Sequence, residues 1–130
     1  MEYERTAHSV HLLVLHLVWC PKYRRPVLVG DVANRLRELI PQIAAEHGWT
    51  ILELAVQPDH IHLFVRCLPT DSPHLIARQI KGQSSRLLRQ EFASLRRRLP
   101  TLWTRAYFVA SAGNVSAATI ARYVAAQKGV

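Results

Sequence analysis

The sequence has 130 residues, 49% of them hydrophobic, which fits one compact domain spanning residues 1–130. No stretch reaches the roughly 18 uninterrupted apolar residues of a membrane span. The N-terminus carries acids where a secretory signal has a basic region, so we expect a cytoplasmic protein without membrane association. Cys20 and Cys67 are widely separated, which argues against a disulfide framework or zinc knuckle and predicts two buried free thiols.

The charge is strongly positive, with 17 Lys and Arg against 9 Asp and Glu and a formal net charge of +8. The positive residues cluster in Lys22 to Arg25, along Arg78 to Arg89, and in Arg96 to Arg98. Such clustering is typical of a polyanion-binding protein. It favours nucleic acid over an anionic membrane, because the basic segments lack an opposing face of exposed apolar side chains.

The N-terminal third predicts a strand, a loop and a helix. His11 to Trp19 is an apolar, β-branched run, typical of a central strand covered on both faces. Cys20 to Gly30 is a loop whose basic and aromatic residues suit phosphate binding and base stacking, although a solvated turn fits equally well. Asp31 is the expected cap of a helix through His47. This helix contains Pro41, which predicts a kink or an early break, and Gly48 is the expected stop.

A histidine pair lies in the next predicted hairpin. Thr50 to Gln57 predicts a strand, Pro58-Asp59 a turn, and His60 to Arg66 another strand. Alternation along a strand places His60 and His62 on one face, about 6.7 Å apart at their Cα atoms. Two imidazoles so placed can bind one cation, but ordinary strand histidines would show the same pattern.

A long basic helix and a last strand follow. Ser72 is the expected N-cap and Pro73 the first-turn proline of a helix to about Ser94. Positive residues recur along this helix without an acid between Leu75 and Gln90, which favours a phosphate-binding face over an ordinary solvated one. The remaining predicted elements are a basic loop over Leu95 to Thr104, a strand over Tyr107 to Ser111, a turn at Gly113-Asn114, and a helix capped by Ser116 and ending at Gln127.

The order strand, helix, strand, strand, helix, strand predicts an α+β fold, a ferredoxin-like or RRM-like sandwich (βαββαβ) with an antiparallel sheet. The histidine strand is expected at the centre of the sheet, next to the first strand. The C-terminal helix is additional to this pattern.

The C-terminal helix places Tyr123 and Gln127 on one face. They form either a packing stripe or a nucleophile with a metal ligand one turn below it. A free phenol has a pKa of about 10, so a tyrosine nucleophile needs assistance at neutral pH. A divalent cation bound by His60, His62 and the Gln127 amide oxygen could supply it by polarising a phosphate, and this mixed nitrogen and oxygen set suits Mg²⁺ or Mn²⁺.

Six motifs, in order along almost the whole chain, resemble the HUH single-tyrosine transposases of small insertion sequences, the TnpA or IS200-like type. The motifs are Trp19-Cys20-Pro21-Lys22-Tyr23-Arg24-Arg25, Pro58-Asp59-His60-Ile61-His62-Leu63-Phe64, Ile80-Lys81-Gly82, Leu102-Trp103, Tyr107-Phe108-Val109 and Ile120-Ala121-Arg122-Tyr123-Val124-Ala125-Ala126-Gln127.

This resemblance implies a metal-dependent transposase that cleaves and rejoins single-stranded DNA. By similarity, His60, His62 and Gln127 are the metal ligands, and Tyr123 is the nucleophile that forms a 5′-phosphotyrosine and frees a 3′-OH. It also implies a homodimer that recognises hairpin ends and in which the tyrosine helix can complete the partner's metal site, whereas assembly of the site in cis or in trans stays open. Asp59 is a second-shell residue or only a turn residue. The expected DNA-binding residues are Lys22, Tyr23, Arg24, Arg25, Arg78, Lys81, Arg86 and Arg89.

Two alternatives remain. One is a host-retained, REP-associated nuclease of the same fold. The other is a non-catalytic RRM-like nucleic-acid-binding module, against which the missing aromatic RNA-binding signature and the combination of His60, His62, Tyr123 and Gln127 both argue.

Overall fold

A four-stranded antiparallel sheet with helices forms the body of the protein. The computed structural model describes residues 4–5, 10–11, 13–111 and 117–130. In chain order the elements are β1 (Glu4–Arg5), β2 (Val10–His11), β3 (Val14–Trp19), α1 (Gly30–Glu46), β4 (Thr50–Gln57), β5 (His60–Arg66), α2 (Pro73–Glu91), α3 (Ala93–Arg98), β6 (Phe108–Ser111) and α4 (Ala117–Ala126). The predicted turn at Gly113-Asn114 and the Ser116 cap lie outside the described residues.

The order of strands in the main sheet is β4-β5-β3-β6, with every neighbouring pair antiparallel. This confirms the ferredoxin-like α+β prediction, including the central position of β5 beside β3. All six residues of β3 are buried, as the apolar run predicted. The predicted start at His11 was wrong, because His11 belongs to β2, which pairs with β1, and β3 begins at Val14.

One face of the sheet carries the hydrophobic core. Ile61, Leu63 and Val65 of β5 are completely buried and alternate with half-buried residues that point to the other face. The core residues of β3 are Leu15, Leu17 and Trp19, and they cluster with side chains of α1 and α2. The two long helices therefore cover the face opposite His60 and His62.

Helix α1 differs from the prediction at its start and at Pro41. It begins after Val29, which has extended backbone, so Asp31 lies in the first turn and does not cap the helix. An acid there still interacts favourably with the positive helix end. The helix continues through the exposed Pro41 to Glu46, so the predicted early break does not occur. Gly48 follows the helix with φ +77°, as expected for a stop.

Helix α2 starts as predicted but ends early. The Ser72 side chain accepts a hydrogen bond of 3.0 Å from the Leu75 amide, and Pro73 occupies the first turn. The helix ends at Glu91 because Phe92 adopts extended backbone, and the chain re-forms a short helix, α3, where a loop was predicted. Its Leu95 is 1% exposed, so the core accounts for this extra helix.

Cys20 and Cys67 are buried free thiols, as predicted. Among the described residues, no helix is both long enough and apolar enough to span a membrane.

Candidate active site

Three histidines lie on the sheet face opposite the core. His62 pairs with Val18 of β3, and His16 pairs with Phe64 of β5. Directly paired residues of antiparallel strands project to the same face, so His16, His60 and His62 share that face. The ring centroids of His60 and His62 are 4.9 Å apart, and those of His16 and His62 are 5.6 Å apart. The expected histidine pair therefore does lie side by side.

Asp59 orients His60. Its Oδ1 lies 2.8 Å from Nδ1 of His60, and its Oδ2 lies 3.3 Å from Nε of Arg24. A carboxylate accepts a hydrogen bond from Nδ1–H, which puts the free lone pair of a neutral imidazole on Nε2. This contact goes beyond what a turn residue requires and fixes which His60 nitrogen can bind a cation.

His16 contacts the second histidine in a similar way. Its Nε2 lies 3.4 Å from Nδ1 of His62, and its ring stacks on Phe64 with centroids 4.2 Å apart. If Nδ1–H of His62 donates to His16, Nε2 of His62 is also left as the free nitrogen. His16 was not predicted as a site residue, because it lies in an apolar run. The pairing of the two central strands is the signal that would have revealed it.

The surroundings of His62 and His16 favour the neutral form of both imidazoles. Burial lowers the pKa of His62, and the neighbouring His60 and His16 lower it further. Burial also lowers the pKa of His16, against a smaller opposing effect of Glu53. A neutral imidazole is the form that binds a metal ion.

The tyrosine helix α4 lies against the same site. The ring of Tyr123 is 5.8 Å from that of Phe108, and Phe108 pairs with Val18, which also pairs with His62. Nη1 of Arg24 donates to the Val124 carbonyl at 3.3 Å, while Nε of the same side chain contacts Asp59. Within one chain, α4 is therefore connected to the histidine pair through Phe108 and through Arg24.

Two buried polar atoms, one on α4 and one on the residue that follows it, have no hydrogen-bond partner among the described residues. They are the Tyr123 hydroxyl and Oε1 of Gln127. Nε2 of Gln127 donates to the Tyr123 carbonyl at 3.4 Å, which leaves Oε1 as an unpaired acceptor. Burial raises the pKa of the Tyr123 phenol above its ordinary value, with a smaller contribution from Cys20. Burying these two polar atoms without a partner costs free energy, which a hydrogen-bond donor or a cation beside them would offset.

The residues present fit a divalent cation. Two Nε2 lone pairs and a buried amide oxygen are suitable ligands, and they leave coordination positions open for phosphate and water. In the part of the chain that is described, no group of three or more His, Cys, Asp and Glu side chains is arranged as a metal site. A cation would therefore rely on the two histidines, the amide and the substrate.

Residues 9–127 match the family described as "Transposase IS200 like". The chain belongs to this family. The predicted resemblance is confirmed, and so is the association with DNA transposition and DNA binding.

Individual relatives agree with this assignment. The ISDra2 transposase TnpA of Deinococcus radiodurans is 32% identical over 129 residues, covering 98% of this chain and 92% of the relative. The Salmonella typhimurium transposase for insertion sequence element IS200 is 29% identical over 113 residues, covering 85% of this chain and 74% of the relative.

Solved structures show the same fold. A crystal structure assigned to a transposase of Deinococcus radiodurans superposes with a TM-score of 0.91 at 30% identity, covering 98% of this chain and 99% of that one. A REP-associated tyrosine transposase bound to a REP hairpin superposes with a TM-score of 0.58 at 18% identity, covering 95% of this chain and 68% of that one, and has a similar fold.

The loop after β3 of this IS200-like transposase presents some of its basic residues to solvent. Tyr23 is 42% exposed, and the ammonium of Lys22 lies 5.1 Å from the centre of its ring. Arg25 is exposed and lines a pocket of about 250 Å³ with Arg98 and Leu99. These side chains are available to a ligand, whereas Arg24 is engaged with Asp59 and Val124.

The basic residues of α2 divide into two groups. Arg78 and Arg86 are exposed. The ammonium of Lys81 instead donates to the carbonyls of Thr104, Arg105 and Ala106 at 2.8, 3.2 and 3.0 Å, and Arg89 donates to the Leu99 carbonyl at 3.0 Å. In this conformation the three Lys81 hydrogens are all used within the protein.

A second pocket lies beside Lys81. It has a volume of about 190 Å³, and its lining residues include Arg78 of α2 together with Arg105 and Tyr107 from the segment before β6. Neither Arg105 nor Tyr107 was predicted as a site residue. An arginine close to an aromatic residue in the sequence is the signal that would have suggested a nucleic-acid-binding site here.

Proposed function

We propose that this transposase cleaves and rejoins single-stranded DNA through a 5′-phosphotyrosine on Tyr123, at a divalent-metal site formed by His60, His62 and Gln127. The observation that supports it most is the arrangement on the sheet face opposite the core. Two neighbouring imidazoles have their Nδ1 atoms engaged by Asp59 and His16, and the tyrosine helix contacts the same face.

Tyr123 performs the strand cleavage. The phenol gives up its proton as its oxygen attacks a DNA phosphorus, the bond from phosphorus to the 3′ oxygen breaks, and the departing 3′ oxygen takes up a proton, so that no net proton is consumed. The enzyme is then linked to the 5′ phosphate, and attack by a 3′-OH on this phosphotyrosine restores a phosphodiester and releases the phenol. Each step exchanges one phosphate ester for another, so no outside energy source is needed.

The phenol needs help to react. Deprotonating a phenol of pKa about 10 at pH 7 costs about 4 kcal/mol, and burial of Tyr123 increases this cost. Bound Mg²⁺ or Mn²⁺ would supply positive charge that stabilises the phosphate and phenolate oxygens. With Nδ1–H of His60 donating to Asp59 and Nδ1–H of His62 donating to His16, Nε2 of both imidazoles is free, and Gln127 offers its unpaired amide oxygen.

We further propose DNA hairpins at the ends of an insertion sequence as the substrate, and a homodimer as the working form. The tyrosine helix can complete the metal site of its own chain, which it contacts in this structure, or that of the partner. The net charge of +8 and the exposed Arg25, Arg78 and Arg86 support binding of a DNA backbone. Exposed Tyr23 supports base stacking. A protein of this fold is described in complex with a REP hairpin, which supports hairpin DNA as a ligand class. Action on DNA also supports a cytoplasmic location.

A covalent-adduct assay tests this proposal. The protein is incubated with labelled single-stranded DNA carrying a hairpin, with and without Mn²⁺, and separated under denaturing conditions. We expect a labelled protein band that Tyr123→Phe abolishes and that a chelator suppresses. Tyr107→Phe is the matched control and should retain the band. A band that survives Tyr123→Phe would refute the assignment of the nucleophile.

A further inference from the structure

The side chain of Arg24 lies between the turn before the histidine pair and the tyrosine helix, and it contacts both. Its Nε contacts Oδ2 of Asp59 at 3.3 Å, and its Nη1 donates to the Val124 carbonyl at 3.3 Å. Oδ1 of the same Asp59 lies 2.8 Å from His60. One guanidinium thus connects the carboxylate that orients His60 to the residue that follows Tyr123.

The backbone at Arg24 supports this role. Tyr23 and Arg24 both lie in the left-handed region, with φ +59° and +52°. Residues other than glycine rarely adopt this backbone conformation, and two such residues in succession persist only where the surrounding contacts hold them. One such contact is the 2.9 Å hydrogen bond from the Tyr23 amide to the Val130 carbonyl, beyond the end of α4. The strained turn therefore contacts the tyrosine helix region at two points.

We infer that Arg24 is a positioning residue that anchors the tyrosine helix against the metal-binding histidines. This inference deepens the proposed function and rests on it for the roles of Tyr123 and His60. A bidentate guanidinium suits the task, because it contacts two acceptors in a fixed geometry, whereas the ammonium of a lysine is a point charge. Arg24 then acts through Asp59 and Val124 and not through a DNA phosphate.

Amide hydrogen exchange of the free protein, without DNA or metal, tests the anchoring directly. We expect Arg24→Gln to accelerate exchange at the backbone amides of Gln127 and Lys128 about tenfold or more, as loss of a charge-assisted hydrogen bond predicts. Arg24→Lys should give a smaller acceleration. Arg37→Gln, a change at an exposed arginine on α1, is the neutral control. Unchanged exchange in both Arg24 variants would overturn the inference.

DNA binding and adduct formation separate anchoring from phosphate contact. We expect Arg24→Gln to slow adduct formation by about tenfold or more at saturating DNA, with the DNA Kd and its salt dependence close to wild type. Arg25→Gln should show the opposite pattern, with a weaker Kd and a shallower salt dependence. If Arg24→Gln instead weakens DNA binding and leaves exchange unchanged, Arg24 is a phosphate ligand and the inference is wrong.

The two proposals fail in distinguishable ways. If the wild-type protein forms no adduct, the proposed chemistry is wrong, yet the exchange measurement still decides whether Arg24 holds α4. If Arg24→Gln does not fold, Arg24→Lys keeps the charge and carries the same test.

Discussion

Lys81 provides the sharpest test of whether a basic side chain of α2 binds DNA or supports the fold. Its ammonium donates to three successive carbonyls, of which that of Thr104 belongs to a residue only 1% exposed. In Lys81→Met the Thr104 carbonyl loses its donor, at a cost of about 1–3 kcal/mol. Arg105 and Ala106 are exposed, so water replaces their lost bonds. We expect a loss of about 1–3 kcal/mol of unfolding free energy in urea at pH 7.

The pH dependence of this loss has a definite sign. Burial lowers the pKa of Lys81 to about 8, from 10.5 in the unfolded chain. Between these values the unfolded chain binds more protons, so the contribution of Lys81 to stability is largest above 10.5 and declines as pH falls through 8. The stability gap between wild type and Lys81→Met should therefore widen from pH 8 to pH 10, by at most about 1.4 kcal/mol per pH unit.

Arg78→Met is the matched control on the same helix. Arg78 is exposed, so this variant should keep its stability within about 0.5 kcal/mol and reduce the salt dependence of DNA binding. Lys81→Met should change stability and leave the salt slope near wild type. A Lys81→Met protein of unchanged stability and reduced salt slope would show that Lys81 is a phosphate ligand and that its three carbonyl contacts contribute little.

Three further predictions address other parts of the structure. His16→Phe keeps the stacking on Phe64 but removes the hydrogen-bond partner of His62. The Mn²⁺ affinity, measured by calorimetry, should therefore fall about tenfold to a hundredfold. An unchanged affinity would contradict the role given to His16. Ser72→Ala removes the N-cap of α2 and should lower the free energy of unfolding in urea by about 1 kcal/mol. Ser72→Asp can still cap the helix and should keep most of the wild-type stability. Equal stabilities for the two variants would argue against the cap. Burial raises the pKa of both Cys20 and Cys67 to about 11, so Ellman's reagent at pH 8 should label neither thiol until the protein unfolds. Rapid labelling of the native protein would show that the ends of β3 and β5, which these cysteines follow, open readily.

The elements governed by local patterns were predictable from sequence. The alternation along β5 correctly placed His60 and His62 on one face and the aliphatic residues on the other, because strand periodicity depends only on neighbours. The start of α2 was predictable for the same reason, since Ser72 caps it locally.

Features that depend on tertiary contacts were not predictable in this way. The end of α2 at Phe92 follows from the need to bury Leu95, and nothing in the local sequence indicates it. His16 approaches His62 only because β3 pairs with β5 in one particular register. Arg24 reaches Val124 across 100 residues of sequence, so it looked like one more basic residue of a DNA-binding loop.

The measurement that tests the central claim most directly is electron spin-echo spectroscopy of Mn²⁺ added to the DNA-free protein. We predict one bound Mn²⁺ per chain, with couplings to two imidazole nitrogens that are lost when His60 and His62 are replaced by alanine. Binding without nitrogen couplings, or binding that survives both replacements, would contradict a metal site at the histidine pair.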